Sequence, residues 1–416
     1  MRATHVLAAF ILFLLPFTAS ANGQTLSVMH NFGAKVGDGN IPYASLIMDA
    51  SGNLYSTAME GGADGFGTVY RLSPNGIGGW DETTLYSFTG GADGASPHAP
   101  LILDSTGNLY GTTVQGGLTA KACNSTAPAK GCGVVFKLTP TTQDSWTETV
   151  LYSFTGTDGG NPYSGLTSDG AGNFYGTGLI GGSANQGVVY ELSPTGASWK
   201  QTVLHSFAGK SDGNAPYAGV AFDSHGNLLG TTYGGGSAGL GIVYRLSPQS
   251  SGSWKETILH VFQGQSASDG AEPFSGVLLD KSGNIYGAAS AGGTFNYGAV
   301  FELVAANKFS STLLHSFNLD NKDGTFPNGI IFDLKGNLLG TTQGAGQNDG
   351  NGTVFKLTRG TNGWTETVLF TFQGSADGTY PNTSLFRDTA GNLYGATIWG
   401  GTLGPTNGGV AFQFGR

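Results

Sequence analysis

Charge is scarce in this sequence. Asp, Glu, Lys and Arg together make up 11% of 416 residues, and there are only two cysteines. Beyond residue 21 no apolar run reaches the roughly 18 residues of a membrane span, and no stretch repeats with the 3.6-residue period of an amphipathic helix. These absences exclude a membrane-spanning helix and leave an all-β protein as the natural reading. Lys and Arg number 18 against 27 Asp and Glu. An acidic chain of this kind has no electrostatic footprint for nucleic acid or an anionic membrane.

Glycine, by contrast, is abundant, with 72 residues. It has no strict three-residue period, so the chain is not collagen-like. It recurs instead at fixed places between short apolar runs, which marks many turns and many short strands. The first 21 residues stand apart. Arg2 precedes the apolar run Val6–Phe17, and Ala19-Ser20-Ala21 fits a small-x-small cleavage site. This reads as a secretory signal peptide cleaved after Ala21. Its removal leaves a net charge near −10 and no segment expected to insert in a membrane. In an oxidising compartment Cys123 and Cys132 are expected to form a disulfide. Metal binding by two Cys with no adjacent His is disfavoured.

The chain is built from internal copies. The phrase Asp-x-x-Gly-Asn returns with its Asn at 53, 108, 173, 227, 284, 337 and 392. Each copy carries four strand-like runs, exemplified by Pro42–Asp49, Asn53–Met59, Gly67–Ser73 and Trp80–Phe88. Four antiparallel strands in a unit of this length are the signature of a propeller blade. The seventh copy stops after its third run. The segment Ser27–Phe32, SVMHNF, matches the fourth run TTLYSF at Thr83–Phe88. The N-terminal strand is therefore expected to complete the last blade, pairing the otherwise open edge of the ring. The reading is one seven-bladed domain over 22–416. Its blades fall at about 37–91, 92–157, 158–210, 211–267, 268–321, 322–376, and 377–416 plus 25–34.

The phrases DGNIPYASLIMDASGNLYSTAMEGG, GTVYRLSP and WTETVLYSFTG resemble the GloVer (Gloeo/Verruco) tandem repeat of exported bacterial proteins. The likeness covers about Ser27–Phe414. It implies a propeller-like secreted or surface protein without an assigned activity. Members of that family often carry a C-terminal anchor. Here the sequence ends at Phe414-Gly415-Arg416, so the expected location is secreted or periplasmic.

Two motifs recur in all seven copies. In the first, Asp49, Asp104, Asp169, Asp223, Asp280, Asp333 and Asp388 end the first run, and a Gly precedes the Asn. A type I turn followed by a residue at positive φ needs that Gly, and the Asp can accept amide bonds from the turn. A calcium loop is the lesser alternative, because Lys and Leu occur between the acid and the Gly and ligand oxygens are too few. The second motif is Asp-Gly-x-x-Pro, from Asp38/Pro42 to Asp377/Pro381, which links successive blades. Its seven carboxylates offer a second, lesser cation site if they gather near the axis.

Repeated residues build the ring, so function is expected where the copies differ, on the face carrying the linkers and the loops between runs two and three. After each linker Pro stand Tyr43, His98, Tyr163, Tyr217, Phe274, Asn328 and Asn382. They are expected at the channel mouth. Aromatics with polar tips suit sugars or extended peptides, and Trp399 and Tyr233 in neighbouring loops would extend that surface. The expectation is a monomeric, non-enzymatic binding or scaffold propeller for a carbohydrate, peptide or cell-surface protein, with no cofactor. The alternative is a glycan hydrolase or lyase using His98 with Glu60 or Glu272, the unrepeated titratable groups on that face.

Overall fold

Strand formation follows the repeats. The computed structural model describes residues 25–118, 123, 129–141, 145–319, 323–344, 350–402 and 408–415. The expected leader, Met1–Ala21, lies outside the described residues. Seven antiparallel sheets are arranged as the blades of a β-propeller. In blade 1 the strands run Ile47–Met48, Leu54–Ala58, Thr68–Pro74 and Trp80–Ser87, paired in that order. Blade 7 contributes Phe386–Arg387, Leu393–Trp399 and Val410–Gly415, and Thr25–Asn31 supplies its outer strand. Val28 pairs with Phe412 and His30 with Ala411. Among the described residues no helix is long and apolar enough to cross a membrane.

The inner strand of blade 6 spans eight residues, Thr325–Phe332, but that of blade 1 departs from the expected eight-residue run. In blade 1 only Ile47 and Met48 pair with the second strand. The stretch before them begins with Pro42, which has no amide to give to a ladder. It runs on through Tyr43, Ala44, Ser45 and Leu46, and pairing with the second strand comes only near the turn.

Packing between blades repeats as strictly as the sequence. The third strand meets the outer strand with a β-bulge in every blade, at Val69/Tyr70 in blade 1 and Val354/Phe355 in blade 6. A bulge bends and twists the strand. Here it carries a fully buried ring, and each such ring meets the outer-strand Phe of the preceding blade edge to face. Phe32–Tyr70 (4.9 Å), Phe88–Phe136 (5.2 Å), Phe154–Tyr190 (5.1 Å) and Phe372–Phe412 (5.3 Å) are four of the seven pairs. Such contacts add about 0.5–1.5 kcal/mol each beyond area burial.

The Asp-x-x-Gly-Asn phrase is a turn. Asp49 Oδ1 accepts from the amides of Ser51 (2.8 Å) and Asn53 (2.9 Å), and its Oδ2 accepts from Asn53 Nδ2 (2.8 Å). Gly52 stands at φ 85°. The same bonds form at Asp104, Asp223 and Asp333. Tyr55 adds its hydroxyl to Asp49 (3.0 Å) and lies edge-on to Trp146 of the next blade (6.5 Å).

The second motif also joins blades, in a way that corrects one expectation. The linker carboxylates do not gather at the axis. They face outward onto the outer strand of the preceding blade, where a His or Tyr occupies one fixed slot at six of the seven junctions. His30 reaches Asp38 (3.1 Å), Tyr86 reaches Asp93 (3.1 Å), Tyr152 reaches Asp158 (2.5 Å) and His260 reaches Asp269 (2.9 Å). A buried carboxylate needs such partners, and the outer strand provides them. The linker Pro does its work on the other side. Pro97 of blade 2 packs on Gly67 of blade 1, and Pro42 of blade 1 packs on Gly409 of blade 7.

Candidate functional site

The seven residues that follow the linker prolines converge as the sequence suggests. Tyr43, His98, Tyr163, Tyr217, Phe274, Asn328 and Asn382 line one cavity of about 180 Å³ at the centre of the ring. Five of them form an unbroken aromatic arc across five blades. Tyr43 lies 3.8 Å from His98, His98 4.9 Å from Tyr163, Tyr163 5.4 Å from Tyr217, and Tyr217 stacks on Phe274 at 4.7 Å. The arc is closed by amides. Asn328 Nδ2 donates to the Pro381 carbonyl (2.6 Å), and Gln343 Nε2 donates to Asn328 Oδ1 (3.0 Å) and to Asn382 Oδ1.

His98 is 9% exposed. Burial pushes its pKa down to about 4, against the opposing pull of a bond to the Tyr163 backbone. It is therefore a neutral imidazole at pH 7. Burial likewise raises the Tyr43 and Tyr163 phenols.

Two wider cavities open beside this centre. One, of about 290 Å³, is lined by Glu60, Phe66, Ser96, His98, Gln115 and Tyr163 among others. The structure thus brings Glu60 and His98 together. Glu272 lines the second cavity, of about 450 Å³, with Tyr43, Tyr217, Tyr233, Phe274, Phe326 and Gln343. Tyr233 donates its hydroxyl to Glu272 Oε2 (2.7 Å), a bond that with burial raises the Tyr233 pKa to about 12. The Tyr233 ring lies 5.5 Å from Tyr217. Trp399 lies outside the linings of these cavities, half-buried at the end of its strand, with its backbone opposite Thr379.

Apart from Glu272, the residues before the linker prolines were not among the candidates, and they shape this face. Ile41, Ser96, Asn161, Ala215, Glu272, Phe326 and Tyr380 all stand at positive φ, between 49° and 58°. A non-Gly residue pays strain in that region, and a following Pro restricts its backbone further. The strain is offset by hydrogen bonds to the preceding blade. Ile41 donates to Gly408 (2.9 Å), Glu272 to Leu240 (2.8 Å) and Phe326 to Tyr297 (2.9 Å). One backbone shape thus carries seven different side chains. Phe326 and Tyr380 are each 43% exposed. The signal was present in the sequence: this position changes in every copy while the Asp, Gly and Pro around it do not.

The disulfide is formed, with the Cα atoms of Cys123 and Cys132 5.0 Å apart. Both cysteines are buried in the core shared by blades 2 and 3.

Comparison with known proteins places this architecture. The Gloeobacter/Verrucomicrobia repeat matches residues 15–122, 122–318 and 223–416. The chain belongs to that repeat family. No curated protein matches it significantly in sequence. Among solved structures it is similar to a putative 6-phosphogluconolactonase from Bacteroides uniformis. The TM-score is 0.54 and the identity 12%, over 87% of this chain and 98% of the other. It is also similar to an ancestral GH74 enzyme, with a TM-score of 0.51 and 10% identity over 88% and 55% of the two chains. At such identities the likeness concerns the fold.

Proposed function

We propose that this protein is an exported, non-enzymatic binding propeller whose ligand is an oligosaccharide, held in the cavity between Tyr233, Glu272 and Phe326. The observation that carries the reading is the pre-proline ring. A strained backbone conformation is repeated seven times and presents seven different side chains, which is how a constant scaffold displays a variable surface. Sugar chemistry suits the cavity. Aromatic faces offer area at low entropy cost, and Glu272, Gln343 and Tyr233 supply directed polar groups for hydroxyls. The disulfide fits an oxidising compartment.

The test is a glycan array followed by calorimetry on the best hit, comparing the native chain with Phe326→Ala and Glu272→Gln. Each change is expected to weaken binding at least about tenfold, a loss of about 1.4 kcal/mol, at unchanged melting temperature. Unaltered affinity in both variants would remove the ligand from this cavity.

The enzymatic alternative, a glycan hydrolase or lyase, is favoured by one observation, the shared cavity of Glu60 and His98. Turnover of a polysaccharide that is lost in Glu60→Gln and His98→Ala would establish it. The structural neighbours named as enzymes add only that propellers can host such chemistry.

A further inference from the structure

Six of the seven blade junctions place a His or Tyr of one outer strand against the linker Asp that follows. At most of these the pair is a well-formed hydrogen bond, as at His260–Asp269 (2.9 Å) and His315–Asp323 (3.1 Å). The junction of blades 3 and 4 differs. His205 Nε2 lies 3.3 Å from Asp212 Oδ1 and 3.7 Å from Glu256 Oε1. Yet His205 Nε2 and Glu256 Oε1 are sealed from solvent and lack an aligned hydrogen-bond partner.

The three ligand atoms all lie within 4.8 Å of one another. A divalent ion held at about 2.0–2.2 Å by imidazole nitrogen and carboxylate oxygen sets its ligands roughly 3.4 Å apart at the corners of a tetrahedron. The two separations measured from His205 bracket that spacing. Asp212 keeps its other oxygen engaged with the Ala208 amide (2.6 Å), which fixes the carboxylate and leaves Oδ1 turned towards the cluster. The His205 ring is held edge-on by Phe207 at 4.7 Å. Among the described residues no Lys or Arg is ion-paired with any of the three, and bringing two carboxyl groups together in a half-buried site without a cation is costly.

We infer that His205, Asp212 and Glu256 bind one divalent transition-metal ion, which fastens the outer strand of blade 3 to that of blade 4. The nitrogen ligand selects against calcium, which takes oxygen, and in favour of an ion such as zinc. The junction of blades 7 and 1 brings His30, Asp38 and Glu82 together in the same way. There the imidazole is already hydrogen-bonded to both Asp38 oxygens, at 3.1 and 3.2 Å, so it serves as the internal control.

The experiment strips the purified chain with chelator, restores it with zinc chloride, and reads bound zinc by elemental analysis and stability by thermal melting. One zinc per chain and a raised melting temperature are expected. His205→Tyr reproduces the residue that the fold already accepts at Tyr86 and Tyr152, so it should fold. It should also lower zinc affinity by about 100-fold or more, since even the loss of an outer partner can cost that much. Glu256→Gln should do the same, and His30→Tyr should leave the zinc in place. No zinc uptake by the native chain would overturn the inference. So would zinc that persists in His205→Tyr and Glu256→Gln, or that disappears only in His30→Tyr.

Discussion

Gly67 of blade 1 lies so close to Pro97 of blade 2 that a Cβ built on the glycine would stand 2.5 Å from the proline Cδ. Gly67 is also at φ 101°. Substitution by Ala therefore meets both backbone strain and a clash with a rigid ring. Gly67→Ala is expected to destabilise the chain by about 2–4 kcal/mol. Gly52→Ala offers the contrast. Its φ is 85°, but nothing lies within 4 Å of the added carbon, so the cost should be about 1 kcal/mol. Melting temperatures of the two variants at one scan rate would compare them. Equal losses would contradict the packing argument.

Asp377 is the exception among the linker acids. The slot that holds His or Tyr at the other junctions holds Phe370 here, and Asp377 Oδ1 is buried without a partner. Burial raises its pKa to about 6, even though the Gln373 amide pulls the other way. An acid whose pKa is raised on folding binds more protons when native, so stability falls as pH rises through about 4 to 6. Phe370→Tyr places a hydroxyl in the slot. It is expected to bring the Asp377 pKa down and to add about 1 kcal/mol at pH 7, with little gain at pH 4. Carboxyl titration by NMR together with melts at the two pH values checks both statements.

The turn carboxylates behave in the opposite sense. Burial alone would raise Asp333, but bonds from Asn337, Lys356 and the turn amides hold it down at about 2. Asp49, Asp169, Asp223 and Asp388 are lowered for similar reasons. Depressed acids contribute stability that is present above the ordinary carboxylate range and lost as pH falls through their folded values. The melting temperature is therefore expected to fall between about pH 4 and pH 2, and replacement of Asp104 by Ala should flatten that limb. A profile unchanged by the substitution would show that the turns do not carry it.

The disulfide closes a loop with a sequence separation of 9 residues. Chain entropy assigns a loop of that size about 2–3 kcal/mol. Cys123→Ser with Cys132→Ser should lower the melting temperature by a few degrees while far-ultraviolet dichroism keeps its β signature.

The ring was legible in the sequence because every structural rule was stated seven times. Asp49, Gly52 and Asn53 declare a turn once six siblings repeat them, and the match of Ser27–Phe32 to Thr83–Phe88 declares the closure. The residues after the linker prolines were legible for the same reason, since their position is fixed by the repeat. What the repeat does not encode is contact between unlike residues of different blades. The bond from Tyr233 to Glu272 joins blades 4 and 5, and Tyr43 and Phe326, of blades 1 and 6, line one cavity. The orientation of the linker acids was missed because their partners, His30 or Tyr86, lie on the previous copy's last strand. The pre-proline side chains other than Glu272 were overlooked because left-handed backbone before Pro is disfavoured by local rules, and only bonds to a neighbouring blade sustain it.

The closing strand Thr25–Asn31 also fixes the order of events during synthesis. It is made before every other strand of the ring, while its partner Val410–Gly415 is made after all of them. Until then the first segment has no sheet to join, and each nascent blade exposes an edge. A growing chain can stack blades in order, but it cannot become a ring until the third strand of the seventh blade is in place, so its exposure to misassembly is set by the time needed to make all seven blades.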